Sequence, residues 1–171
     1  AWRNNPSIKI LGNLEASRLA IVSFCISRDG DNLHYGLVVA MLNDIFGIQA
    51  RGGCSCAGPY GHDLLGIDEA GSLLLLEDVK AGNFLNRPGW ARLNFNYFID
   101  EETFEYTVRA VELIADYGHK LAPFYEYNED CGTWNYLGKA VAPQLSLHDL
   151  FANIDVDNVA KPMWSLKTLL V

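Results

Sequence analysis

A nearly continuous apolar run, RLAIVSFCIS over Arg18–Ser27, is followed after one short polar turn by apolar residues at helical spacing. This pairing constrains the fold more than any other feature of the chain. The run is rich in β-branched and aromatic residues and reads as a buried strand. RDGDN supplies the turn, with Asp31 or Asn32 placed to cap the next helix. Leu33, Leu37, Val38, Met41, Leu42, Ile45 and Phe46 then fall on one helical face, and Gly47 stands where a C-terminal cap belongs.

The remaining elements obey the same logic. Residues 1 to 17 read as a lead-in broken by Pro6 and Gly12. Ile48–Arg51 reads as a short strand, Tyr60–Gly66 as a short helix, and Ser72–Ala81 as a further helix closed by Gly82 and the Arg87-Pro88-Gly89 turn. In Trp90–Phe98 the residues alternate as in a strand, with Trp90, Arg92, Asn94 and Asn96 on one side. Asp100 caps a long helix with Glu101 and Glu102 in its first turn, where the helix dipole favours negative charge. Its buried face is expected to carry Phe104, Val108, Val111 and Ala115, and its end lies by Gly118 or just before Pro123. Beyond Pro123 the pattern weakens, leaving helical pieces around Leu145–Ala152 and near the C-terminus. The order predicts an α/β (α+β) fold, a small mixed or antiparallel sheet with helices packed on it. The expected division is a domain over 1–125 and an extension of unknown role over 126–171.

Charge and cysteine usage narrow the function. The 171 residues carry 13 Lys and Arg against 21 Asp and Glu, a net charge of -8. Such a field repels a polyanion, and no cluster of Lys or Arg stands out in the sequence, so nucleic-acid binding is not expected. No apolar run reaches membrane-spanning length; the richest, Leu73–Leu76, is four leucines long. Cys25, Cys54, Cys56 and Cys131 are too sparse for a disulfide scaffold and read as reduced, which places the chain in the cytoplasm. The chain opens at Ala1 without an initiator Met, the expectation for a processed chain or part of a longer protein.

The stretch QARGGCSCAGPYG, Gln49–Gly61, holds most of the chemistry. Cys54 and Cys56 with His62 suggest metal ligands, but Cys-x-Cys is tighter than the usual spacing and a fourth ligand has no evident source. Gly52 and Gly53, helped by Arg51, suggest a phosphate cradle, although no Walker or dinucleotide pattern is present. A glycine-flanked cysteine near Arg51 suggests a nucleophilic thiol. The plainest reading, two small buried cysteines in a tight turn, is the one these residues favour by themselves.

The span Leu33–Tyr106 resembles the C-terminal small domain of class V pyridoxal-phosphate-dependent aminotransferases and cysteine desulfurases. Three pieces carry the likeness in order: the lead-in LNDIFGIQAR, the motif Arg-x-Gly-x-x-Cys-Ala as Arg51, Gly53, Cys56 and Ala57, and the strand ARLNFNY with Arg92 followed by Asp100-Glu-Glu-Thr. The resemblance implies the C-terminal domain fold of fold-type I pyridoxal-phosphate enzymes. It implies Cys56 as the catalytic thiol that holds a persulfide and Arg92 as the group that binds the substrate α-carboxylate; Arg51 positions the loop or reaches the substrate and cofactor site. A guanidinium suits a carboxylate because two parallel hydrogen bonds fix its orientation. The implied partners are an amino acid substrate, the large cofactor-binding domain of a parent chain, and a second copy in a homodimeric parent.

Departures from the family are specific. Cys54-Ser55 stands where many desulfurases carry two histidines, and extra residues separate Cys56 from Arg92. No lysine among Lys9, Lys80, Lys120, Lys139, Lys161 and Lys167 has the context of the Schiff-base lysine. The sequence therefore predicts an enzyme fragment with no cofactor-binding or metal-binding residues of its own, inactive alone, whose parent uses pyridoxal phosphate for desulfuration, transamination or lyase chemistry. The rival from another class is a stand-alone binding or regulatory domain that keeps the fold without catalysis; a metal-binding module ranks third.

Overall fold

The apolar run does form a strand, but its two sides meet different surroundings. In the computed structural model, which describes residues 1–54 and 58–138, the strand is β2, Ile21–Arg28. Phe24 and Ile26 are sealed from solvent, whereas the alternate residues Ser23, Cys25 and Ser27 are only half-buried. The expected buried strand is thus an alternating one, because the main core packs on one face of an antiparallel sheet.

Five strands make that sheet. They are β1 (Ile8–Ile10), β2, β3 (Asp31–Leu33), β4 (Arg51–Gly53) and β5 (Trp90–Asn94). The order is β1-β2-β5-β4, all pairs antiparallel. Along one edge β2 pairs first with β5 and then with β3, through Phe24↔Ala91 and Ile26↔Leu33. Asp29 and Gly30 join β2 to β3 with left-handed φ values of 53° and 92°, as a two-residue hairpin turn requires. Asp31 and Asn32 are therefore strand residues and not the helix cap. His34 caps instead, its Nδ1 accepting from the Gly36 N–H at 3.1 Å.

The capped helix is α1, Tyr35–Phe46, closed by Gly47 in the left-handed conformation. Gly47 N donates to Asn43 O and Ile48 N to Leu42 O. That closing turn uses Ile48, so β4 begins only at Arg51 and not at Ile48 as the sequence suggests. Two further helices come next, α2 (Gly58–Leu65) and α3 (Glu69–Lys80), the latter capped by Asp68. β5 stops at Asn94, short of the expected Phe98; Asn96 Oδ1 accepts from Phe98 N and turns the chain, leaving Tyr97 and Phe98 exposed.

Asp100 caps α4 (Glu101–Leu121), its Oδ1 accepting from Thr103 N at 2.7 Å. The buried stripe of α4 runs through Thr107, Ala110, Val111, Ile114, Ala115 and Gly118. Phe104 lies outside it and packs on Phe95 at a ring separation of 5.3 Å. The core joins this stripe to Leu37, Val38, Met41 and Leu42 of α1 and to Ile8, Phe24, Ile26, Ala91 and Leu93 of the sheet. Besides β3, further elements have no counterpart in the sequence reading: β1 with the buried Trp2, whose Nε1 donates to Val108 O, and a hairpin of β6 (Tyr125–Asn128) and β7 (Thr133–Tyr136). The hairpin is held to α1 by Trp134 Nε1 donating to His34 Nδ1 at 2.9 Å. Ala1–Leu137 form one compact unit. The helical pieces expected beyond Leu145 lie outside the described residues.

Candidate functional site

The face of the sheet turned away from α1 and α4 gathers cations that are far apart in the sequence. In an antiparallel sheet, directly paired residues project to the same side. Arg51 pairs with Arg92, Arg92 pairs with Ser23, and Lys9 pairs with Cys25 one row away. The outer face of these strands thus carries Lys9, Arg51 and Arg92 with Ser23, Cys25, Asn94 and the buried Trp90, and no carboxylate. No basic cluster is visible in the sequence; strand register makes one in a chain of net charge -8.

Close packing on the other side sets this arrangement. A methyl group at Gly52 would meet the Tyr35 ring at 2.8 Å, and one at Gly89 would meet that ring at 2.7 Å and the Gly53 carbonyl carbon at 2.8 Å. Glycine at both positions lets β4 lie against α1 and alongside β5, which brings Arg51 opposite Arg92.

Other arginines have contacts that occupy them. Arg3 pairs with Glu15 and Arg109 with Glu112, while Arg28 meets Asp29 and donates to Asp116 O. Arg18 donates to Leu11 O, and Arg87 lies over the Phe84 ring. Arg51 and Arg92 make no ion pair among the described residues. Arg92 is half-buried at mid-strand and Arg51 is exposed on the edge strand. The acid Glu101, a sequence-level candidate to neutralise Arg92, does not pair with it.

Cys54 is half-buried just beyond β4. It lies near Tyr35, whose pKa is raised by burial, with the neighbouring Tyr127 and Cys54 adding to the rise and Arg87 opposing it. Cys56, the thiol that the family resemblance singles out, lies outside the described residues. His62, the metal-ligand candidate, has its Nδ1 2.7 Å from Ser72 Oγ. The described residues contain no group of three or more His, Cys, Asp or Glu side chains placed to hold a metal ion.

A cavity of about 340 Å³ opens where β2 changes partner from β5 to β3; its lining includes Cys25, His34, Tyr35, Arg87 and Trp90. Cys25 Sγ stands 4.0 Å from Gly89 O. Burial pushes its thiol pKa up against the pull of Lys9, so it is held as a thiol and not as a nucleophilic thiolate. None of the described lysines lines this cavity. Of the described lysines, Lys9 is separated from Arg92 by β2, Lys80 ends α3, and Lys120 lies over the Tyr117 ring. The described residues therefore do not fit the anchoring of pyridoxal phosphate, which needs a lysine beside its substrate-binding groups.

The sequence singles out Arg51 and Arg92 but not their direct pairing, nor Ser23 as the neighbour of Arg92. No local signal marks these, since each is an ordinary residue of a short strand. Comparison with family models, with curated proteins and with solved structures finds no match to this chain in any of the three. The described residues include no helix long and apolar enough to cross a membrane.

Proposed function

We propose that this chain is the substrate-reading C-terminal domain of a cytoplasmic, pyridoxal-phosphate-dependent class V enzyme of the aminotransferase or cysteine desulfurase type, acting on an amino acid. One observation carries the reading: Arg92 stands half-buried at mid-strand on the outer face, beside Ser23 and without an acid partner among the described residues. A guanidinium held by a strand and left without a counter-charge is suited to receive a carboxylate by two parallel hydrogen bonds. In this reading Arg92 binds and orients the substrate, and Cys56 supplies a thiol from the segment after β4. The cofactor belongs to a large domain elsewhere in a homodimeric parent.

The absence of a suitably placed lysine among the described residues favours a second reading, a stand-alone binding or regulatory domain that keeps the arginines without catalysis. Expression of the uninterrupted reading frame separates the two. The first reading expects a gene product that copurifies with pyridoxal phosphate on a lysine outside this chain. It also expects Arg92→Lys to lower kcat/KM for an amino acid by about 10²-fold, because charge is kept while the fork is lost. A reading frame with no cofactor domain, or an Arg92→Lys enzyme equal to wild type, overturns it.

A further inference from the structure

Arg51 and Arg92 are not merely near each other; they are direct register partners on adjacent antiparallel strands. Residues so placed have Cβ atoms about 4.5–5.5 Å apart, and like charges directly opposite are destabilising. The sheet offers nothing to offset this. The outer face of the strands has no carboxylate, the further cation on that face is Lys9 on the far side of β2, and neither arginine makes an ion pair among the described residues. The chain has acids to spare, 21 Asp and Glu against 13 Lys and Arg, and none of the described ones pairs with either arginine.

We infer that Arg51 and Arg92 act together as a fork for a ligand carrying two negative charges a few bonds apart, either a short dicarboxylate or a phosphate group. The inference rests on the reading of Arg92 as the carboxylate receptor and extends it: Arg51 receives the second negative charge, so a dicarboxylate read there is an amino acid with an acidic side chain. Ser23, paired with Arg92 on β2, adds a hydroxyl on the far side of the fork. A dianion between the two guanidiniums turns their mutual repulsion into attraction, whereas a single carboxylate satisfies Arg92 and leaves Arg51 uncompensated. The packing that positions the fork is local, since the glycines at 52 and 89 admit the Tyr35 ring and hold β4 in register with β5.

Titration of the chain with acetate, succinate and inorganic phosphate at constant ionic strength tests this, with the arginine Nε–H resonances as the readout. Succinate or phosphate should bind roughly tenfold more tightly than acetate, the scale of one added charge-assisted hydrogen bond. Succinate above phosphate identifies a dicarboxylate ligand, and the reverse order a phosphorylated one. In Arg51→Gln, an exposed position where folding is checked by circular dichroism, the dianion advantage should vanish while acetate binding persists. Equal binding of all three anions, or an advantage that survives Arg51→Gln, overturns the fork and leaves the reading of Arg92 standing. Acetate binding that survives Arg92→Gln defeats that earlier reading instead.

Discussion

Ser23 and Phe24 are neighbours in β2, yet they sit on faces with opposite purposes. Phe24 is fully buried under α1 and α4, in a core assembled from apolar side chains. Ser23 faces the other way, in a row with two arginines that the strands hold side by side. The helix-covered face draws its stability from area removed from water. The outer face places like charges against each other and gains nothing in stability from doing so. One sheet thus separates the residues that hold the fold from those available to a ligand.

The largest effect that tests this division is expected at the covered face. Phe24→Ala should cost about 3–5 kcal/mol in urea denaturation, since it deletes a buried ring and leaves a cavity. Ser23→Ala, one residue away, should stay within about 0.5 kcal/mol. Comparable losses at the two positions would mean that the outer face is also part of the core.

A smaller effect is expected from acid, through His34 at the border of the covered face. Burial holds its pKa below the usual 6.5, opposed by the Leu85 carbonyl. The unfolded chain therefore takes up the proton first, and stability is intact above about pH 6.5 and lost as pH falls through the folded pKa. The physical cost is local: Nδ1 accepts from both Gly36 N and Trp134 Nε1, and it loses that role on protonation. His34→Asn keeps an acceptor at the cap and should show a flatter acid limb in thermal denaturation between about pH 6.5 and 5. An unchanged limb would place the acid sensitivity in other groups.

The smallest effect sharpens the picture of the outer face. Arg51→Gln removes one of two directly opposed charges and should stabilise the chain by about 0.2–1 kcal/mol at low salt, with the gain shrinking as salt screens the pair. A loss of stability would show that Arg51 holds β4 in place and that the repulsion is not felt.

The chain's local patterns were enough to determine α1, α4 and the core-facing alternation of β5. Each depends on residues a few positions apart: the apolar stripe from Leu37 to Leu42 with Gly47 behind it, Asp100 three residues before the amide it caps, and Ala91 and Leu93 flanking Arg92. Arg51 and Arg92 were also legible as individual residues, one in a glycine-rich loop and one in a strand. Their meeting was not, because it depends on the pairing of β4 with β5 and on the space around Tyr35, which admits β4 only where glycine stands. The same reason hid β1 and the β6–β7 hairpin, whose three- and four-residue strands are too short to show a period. It also hid the cap on α1, where hairpin pairing claimed Asp31 and Asn32 and left the role to His34. Helices announce themselves through contacts within the chain segment, whereas a two-strand site exists only once long-range hydrogen bonding has set its register.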